Sequence, residues 1–328
     1  MKNIFAVIVT YNGMQWIDPC LASLAASVYP TVVLVIDNGS ADGTAAFVRD
    51  RYPGVQLVVS PVNLGFGQAN NIGLKMAIAQ GADHVFLLNQ DARVERDTIG
   101  SLVKAQTEDP GYGILSPVHY NGRGDALDAN FLDYFLRSPI RGWADAAIRG
   151  SRWEGIMATR FVNAAAWLIS ADCLRATGFF DPVFFHYGED ENYAQRVLFH
   201  GSRIGIYMGA RIFHDREVRL SKADMMGENR WSQRASAKEW MQVLVRACDI
   251  RQSGYTVFLM RRLARHSLSC FTGLIAWNKP RMYYHFSILK NILSYWTEIG
   301  KSRARSLEAP GAKKKKPPHE IETASFRG

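Results

Sequence analysis

The sequence predicts an α/β fold, a mostly parallel sheet flanked by helices, with a helical extension at its C-terminal end. Three observations predict it. Short apolar runs alternate with helix-like stretches through the first hundred residues. Those runs are apolar throughout, as strands are when helices cover both of their faces. A polar cluster follows each run directly, where an open α/β sheet gathers its ligands.

The elements follow in order. Residues 4–9 read as a first strand ending in TYNG, and a helix covers roughly 15–27 before Pro30. Residues 32–36 form a second strand, followed by the turn DNGS. A third strand covers 55–59, with a loop over 60–67 and a helix from about 68 to 80. The fourth, 85–88, ends in Asn89-Gln90-Asp91. Four polar clusters on one sheet edge make a site with geometry behind it.

From 100 to 225 the pattern is mixed. Residues 160–170 read as a strand or a buried helix, and 189–200 as a helix. Residues 204–207 and 210–213 read as strands ending at His214. Beyond 226 the chain reads as helical. In 281–299, Phe286, Leu289, Leu293 and Trp296 share one face, opposite Ser287, Asn291, Ser294 and Glu298. The expected division is 1–225 as the sheet domain, 226–300 as an amphipathic helical region and 301–328 as a basic, disordered tail.

Composition narrows the classes. The chain has 328 residues, 48% hydrophobic and 21% charged, enough for a proper core. Its four cysteines are far apart and form no CxxC pair, which favours reduced thiols in the cytoplasm. The first apolar run is too short for a secretory signal, and no stretch of about 18 uncharged apolar residues occurs. The net charge of +9 is unevenly placed: residues 1–250 carry 24 Lys and Arg against 26 Asp and Glu, and 251–328 carry 15 against 4. A basic, aromatic-rich end on a neutral body points to an anionic surface. No nucleic-acid recognition module accompanies the charge, so a membrane is the expected partner. The competing reading makes 226–300 a helical domain or an interface between copies.

No G-x-G-x-x-G, P-loop or G-x-S-x-G motif is present. The remaining acidic and amide clusters suit a diphosphate held by a metal. Asp91, at the mouth of the fourth strand, can hold Mg²⁺ or Mn²⁺ or can cap the next helix; Asn89 can add an oxygen or shape the turn. Asp37 is placed to accept an N–H from a uracil or thymine ring, or to act as an N-cap. Thr10 and Tyr11 flank base or ribose, or belong to the core. Glu189 and Asp190 open a helix after the aromatic run 184–187; they complement its dipole or, beside apolar surface, provide a base. His214 is a half-buried histidine or a ligand.

Taken together, VTYNG (9–13), VIDNGSADGT (35–44), NLGFGQANNIGL (63–74), FLLNQDARV (86–94), FVNAAAWLIS (161–170), GFFDPVFFHYGEDENYAQRV (178–197) and RIFHD (211–215) resemble a family 2 glycosyltransferase of the A-type (GT-A) fold, rhamnosyltransferase-like branch. The resemblance covers roughly 3–220. It implies that Thr10, Tyr11 and Asp37 bind the nucleoside, while Asn63, Gly65 and Asn70 line the donor pocket. Asp91 binds the metal, and His214 completes its coordination. Asp190 is the general base, with Glu189 orienting hydroxyls, and Asn163 and Trp167 border the acceptor.

Two positions depart from the family pattern. The Asp-x-Asp metal motif is Asn89-Gln90-Asp91 here, and Asn70 replaces a customary arginine. Both departures recur in rhamnosyltransferase-like members, so a deoxysugar donor is expected. The implied reaction is an inverting, metal-dependent transfer from a dTDP- or UDP-sugar to a cell-envelope polysaccharide or lipid-linked glycan, at the inner face of the membrane. A nucleotidyltransferase is the first competing reading, weakened because TYNGMQW lacks the glycine- and lysine-rich loop that holds a triphosphate. A non-catalytic carbohydrate-binding or scaffold protein is the second, motivated by the missing carboxylate.

Overall fold

The computed structural model describes residues 1–151, 155–215 and 228–308, with the backbone alone over 228–233. Its centre is a nine-stranded sheet. Strands β1 (Ile4–Thr10), β2 (Val32–Asp37), β3 (Gln56–Val59) and β4 (His84–Asn89) run parallel in the order β3-β2-β1-β4. Helices α1 (Ile17–Ala25), α2 (Thr44–Arg51) and α3 (Phe66–Ala79) connect them.

Burial on both faces explains the uniformly apolar strands. Val7, Leu34, Ile36 and Leu87 pack with Leu74 and Ala77 of α3. Ile8, Val35 and Leu88 face the other way, onto Cys20, Leu21 and Leu24 of α1. A strand alternates its side chains, so both sets must be apolar. Gly73 lets α3 approach closely, since a Cβ there would run into the Val7 side chain.

Beyond β4 the sheet becomes mixed, where the sequence alone suggested a mostly parallel one. Strand β8 (Ala166–Ser170) returns antiparallel beside β4, and residues 160–165 of the expected 160–170 element lie outside the strand. Next come β6 (Tyr112–Asn121), β9 (Arg203–His214) and the short β5 (Ala92–Val94), with β7 (Ile156–Thr159) paired to β9. The two strands expected over 204–213 are one strand, β9, whose register against β6 shifts at Pro117/Val118. The glycines at 205 and 209 masked that continuity in the sequence. Around this half lie α4 (Thr98–Glu108), α5 (Ala129–Leu136), α6 (Arg141–Ile148), α7 (Ala171–Thr177) and α8 (Glu189–Phe199).

Helices α9 (Glu228–Cys248), α10 (Tyr255–Ile275) and α11 (Lys279–Leu307) form a bundle with its own apolar core. The last helix extends past residue 300, into what reads as tail; the basic run at 313–316 lies outside the described residues. Its buried stripe is Ile288, Ile292 and Ile299, whereas Phe286 and Leu293 of the expected apolar face are exposed. That helix carries two apolar stripes, and α9 and α10 cover only one.

The bundle also grips the sheet domain. Phe184 belongs to the bundle core, and Arg305 donates to Asp181 Oδ1 at 2.8 Å. The Asp181 carboxylate is buried and otherwise receives the Val183 N–H. Arg305→Ala is therefore expected to cost about 1–3 kcal/mol, because a buried carboxylate loses its cation. Chemical denaturation with an unchanged midpoint would contradict this.

Candidate active site

The carboxyl edge of the parallel strands is built by loops that hydrogen-bond one another. The Thr10 hydroxyl donates to Gln90 Oε1 at 2.6 Å, and the Tyr11 N–H donates to the same oxygen at 3.0 Å. The end of β1 is thereby tied to the end of β4. The Asn12 side chain accepts the Ala41 N–H at 2.9 Å, while the Asn12 N–H donates to Ser40 Oγ at 2.9 Å. Two motifs thus close on each other. Gly13 must lack a side chain, since a Cβ would collide with Gln90 and Thr10.

Asp37 is fully buried at the end of β2. Its Oδ2 accepts the Ser40 N–H at 3.0 Å, whereas Oδ1 has no partner among the described residues. A buried acceptor without a donor is costly, so this oxygen is suited to a ligand N–H. Tyr11 stands exposed beside it on the same edge.

The 63–65 loop is shaped by Asn38, which sequence reasoning did not single out. Its Nδ2 donates to Asn63 Oδ1 at 3.0 Å, and its Oδ1 accepts the Leu64 N–H at 2.8 Å. Asn63 Oδ1 also receives the Gly65 N–H at 2.8 Å, so its oxygen serves the loop. Gly65 has φ +79°, and a Cβ there would strike the Phe185 carbonyl oxygen. This loop therefore touches the 181–188 turn. Asn70 instead donates to Phe66 O at 3.0 Å within its own helix, and no bond joins its amide to the strand ends. Its neighbour Asn71, also missed, clasps both backbone groups of Phe180 at 2.9 Å. Asn71 lay inside the NLGFGQANNIGL motif, so its signal was present.

The antiparallel return of β8 completes the edge. The Asn89 N–H donates to Ala165 O at 2.9 Å, and the Ala164 N–H points to Asp190 Oδ2 at 3.4 Å. Asp190 therefore stands beside the mouth of β4, with its Oδ1 accepting the Glu191 N–H at 2.8 Å. Asn163 is buried here, and its Oδ1 has no partner among the described residues. Trp167 does not border this space. Its side chain lies in the core against Phe180 and Tyr193, with its indole N–H on Val162 O at 3.2 Å. Strand alternation turns it to the covered face.

Asp91 and His214 meet at this edge because Ala92 of β5 pairs with His214 at the end of β9. Asp91 Oδ1 lies 3.3 Å from His214 Nε2, and Asp128 Oδ2 lies 3.6 Å from Nδ1. All three residues are buried. Asp128, which also caps α5, was not foreseen, because it sits where the sequence pattern is mixed. A carboxylate and an imidazole nitrogen this close are suitable donors for Mg²⁺ or Mn²⁺, and a carboxylate behind the imidazole fixes its orientation. Among the described residues no group of three or more His, Cys, Asp and Glu is arranged to hold an ion.

Residues 5–151 match the family model described as glycosyl transferase family 2. The N-acetylglucosaminyl-diphospho-decaprenol L-rhamnosyltransferase of Mycobacterium tuberculosis (strain ATCC 25618 / H37Rv) is 29% identical over 219 residues, 60% of this chain and 71% of that protein. Residues 5–151 therefore carry a glycosyl transferase family 2 domain, in a chain that is similar to rhamnosyltransferases. A dTDP-rhamnosyl transferase of Shigella flexneri is 31% identical over 109 residues, 31% of this chain and 33% of that protein. A mannosyltransferase from Pyrobaculum calidifontis, solved with GDP-mannose and Mn²⁺, superposes with a TM-score of 0.52 at 18% identity, covering 90% of this chain and 88% of that one. The glycosyltransferase therefore has the GT-A fold with a C-terminal helical region.

One electrostatic feature of the transferase is open to direct measurement. Burial first, and the charge of Asp190 second, push the Glu189 carboxyl up from 4.5 to about 8. Its Oε2 is buried with no partner among the described residues. The folded chain thus holds this proton between roughly pH 4.5 and 8 while the unfolded chain releases it, so stability falls as pH rises through that window. Glu189→Gln removes the titration. Its thermal midpoint relative to wild type should improve from pH 5 to pH 9; a constant difference would show that Glu189 ionises normally.

Proposed function

We propose that this glycosyltransferase moves rhamnose or another deoxyhexose from a dTDP- or UDP-linked donor to a cell-envelope polysaccharide or lipid-linked glycan, by an inverting, metal-dependent displacement. The observation that supports the reading is that Asp91, beside His214, follows the end of β4, and that the Asn89–Ala165 and Ala164–Asp190 hydrogen bonds link that strand end to Asp190. The relatives support the donor and acceptor classes: one is a dTDP-rhamnosyl transferase, and the other acts on a diphospho-decaprenol acceptor.

Each residue has a role in this reading. Asp37 Oδ1 accepts the ring N–H of a uracil or thymine, with Thr10 and Tyr11 beside the nucleoside. Asn63 and Gly65 shape the donor loop, and Asn70 acts only through its helix. Asp91 and His214, with Asn89 at the strand end, would hold the Mg²⁺ or Mn²⁺. When bound, the ion supplies positive charge to the leaving diphosphate. Asp190 takes the proton from the acceptor hydroxyl as that oxygen attacks the anomeric carbon. Glu189, neutral at pH 7, donates a hydrogen bond to a sugar hydroxyl, and Asn163 offers its free oxygen on the acceptor side.

The basic C-terminal quarter supports a cytoplasmic enzyme peripheral to an anionic membrane surface, where a lipid-linked acceptor would be met. No described helix is long and apolar enough to cross a membrane.

Asp190→Asn should lower turnover by about 10²–10⁴-fold while leaving nucleotide affinity unchanged, because it removes only the base. Near-normal transfer of labelled sugar by the purified variant would refute this role. Asp91→Ala should instead weaken nucleotide binding in calorimetry when Mn²⁺ is present and change little without it. Equal affinities for wild type and variant with Mn²⁺ would count against Asp91 as a ligand.

A further inference from the structure

Helix α10 is the outermost element of the bundle, packed on α11 and on α9 by one face only. Leu259, His266 and Gly273 point inward. The opposite face carries Val257, Met260, Leu268, Phe271 and Ile275, all exposed, at spacings of three, eight, three and four residues. Ala264 fills the gap, so they form one continuous stripe along the helix. Leu268, Phe271 and Ile275 are 66%, 58% and 66% exposed. The stripe ends at the α10–α11 turn, where Trp277 projects at 84% exposure.

The charge around this stripe has one sign. No acidic residue occurs between Asp249 and Glu298, a span containing seven Lys and Arg. Arg261 and Arg265 flank the stripe, and Lys279 and Arg281 stand beside the Trp277 turn, all exposed. Arg262, by contrast, is neutralised by Glu239 at 3.2 Å.

We infer that the outer face of α10 and the Trp277 turn dock into the interface of an anionic bilayer, lying in its surface. Apolar side chains enter the acyl boundary while the arginines and lysines meet lipid phosphates. A second copy on the same face would bring Arg261 and Arg265 against their own counterparts, with no carboxylate between 249 and 298 to offset them. A lipid surface supplies that negative charge. The far end of α11 holds Asp181, and α9 packs against Gly188, so docking here would fix the attitude of the site edge toward the membrane.

This inference rests on the peripheral reading and narrows it to named residues. The test is flotation of the full chain with phosphatidylglycerol-containing vesicles and with pure phosphatidylcholine vesicles. Wild type is expected to float with the first and about tenfold less with the second. The triple substitution Leu268→Ser, Phe271→Ser, Ile275→Ser should lower binding at least about tenfold, with circular dichroism and nucleotide affinity unchanged. Failure of wild type to float overturns both the peripheral reading and this one. Undiminished flotation of the triple variant leaves the peripheral reading standing and overturns the docking face. Conversion of a wild-type dimer to a monomer by the same substitutions, seen in sedimentation equilibrium, also overturns it, since the face would then be an interface between copies. Sugar transfer is not needed for any readout.

Discussion

The antiparallel return of β8 beside β4 is the constraint on which the candidate site depends. A purely parallel sheet would place the residues before β8 at the opposite edge. Because β8 runs the other way, its first residues stand at the carboxyl end of β4, and Ala165 O receives the Asn89 N–H. The next residue back, Ala164, offers its N–H to Asp190. One backbone bond and one backbone-to-carboxylate bond therefore link the Asn89-Gln90-Asp91 turn to Asp190, which lies about a hundred residues further along the chain. Distant segments are joined most economically by a ladder, since each bond fixes backbone that a core already orders.

Much of the polar chemistry at this edge builds the edge itself. Gln90, the middle residue of the turn, is committed to Thr10 and Tyr11. Asn38 holds the 63–65 loop, and Asn71 holds Phe180. Amide side chains suit this work, because each offers both donor and acceptor and carries no charge that must be neutralised. The carboxylates are then left at the places where a ligand or ion can meet them. Asp37 Oδ1 and Glu189 Oε2 have no partner among the described residues, whereas the amides of Gln90, Asn38 and Asn63 are engaged.

The parallel half of the fold was legible because it obeys a local rule. Runs such as VFLL, apolar on both faces, bounded by polar turns, identify buried strands without any knowledge of their neighbours. The mixed half was not, since β9 contains two glycines and changes register halfway, and its pairing depends on β6, ninety residues upstream. Among the candidate site residues, those in strand-end motifs were legible. Asp128 was not, because its approach to His214 is created by the β6–β9 pairing and leaves no periodic trace. Trp167 was misplaced for the opposite reason: it lies in a recognisable motif, yet alternation along β8 turns it inward. The helical bundle was read as an appendage because amphipathicity shows that a face is buried, without showing against what.

The bundle's contact with the sheet domain bears directly on the carboxylate pair. Glu189 is the first residue of α8, where the helix dipole favours a negative charge. That effect is worth at most about 1–2 kcal/mol, or roughly one pH unit. The carboxyl nevertheless moves from 4.5 to about 8, so burial outweighs the dipole. Burial here has identifiable sources. Gly67 brings the first turn of α3 against Glu189 and Phe180, and Gly188 admits Met241 and Val245 of α9 to the turn. Phe184 carries the same turn into the bundle core. A helix start that would ordinarily present its carboxylates to water is instead closed over at Glu189 by α3 and α9. Burial at this closed helix start thus favours the protonated form of Glu189.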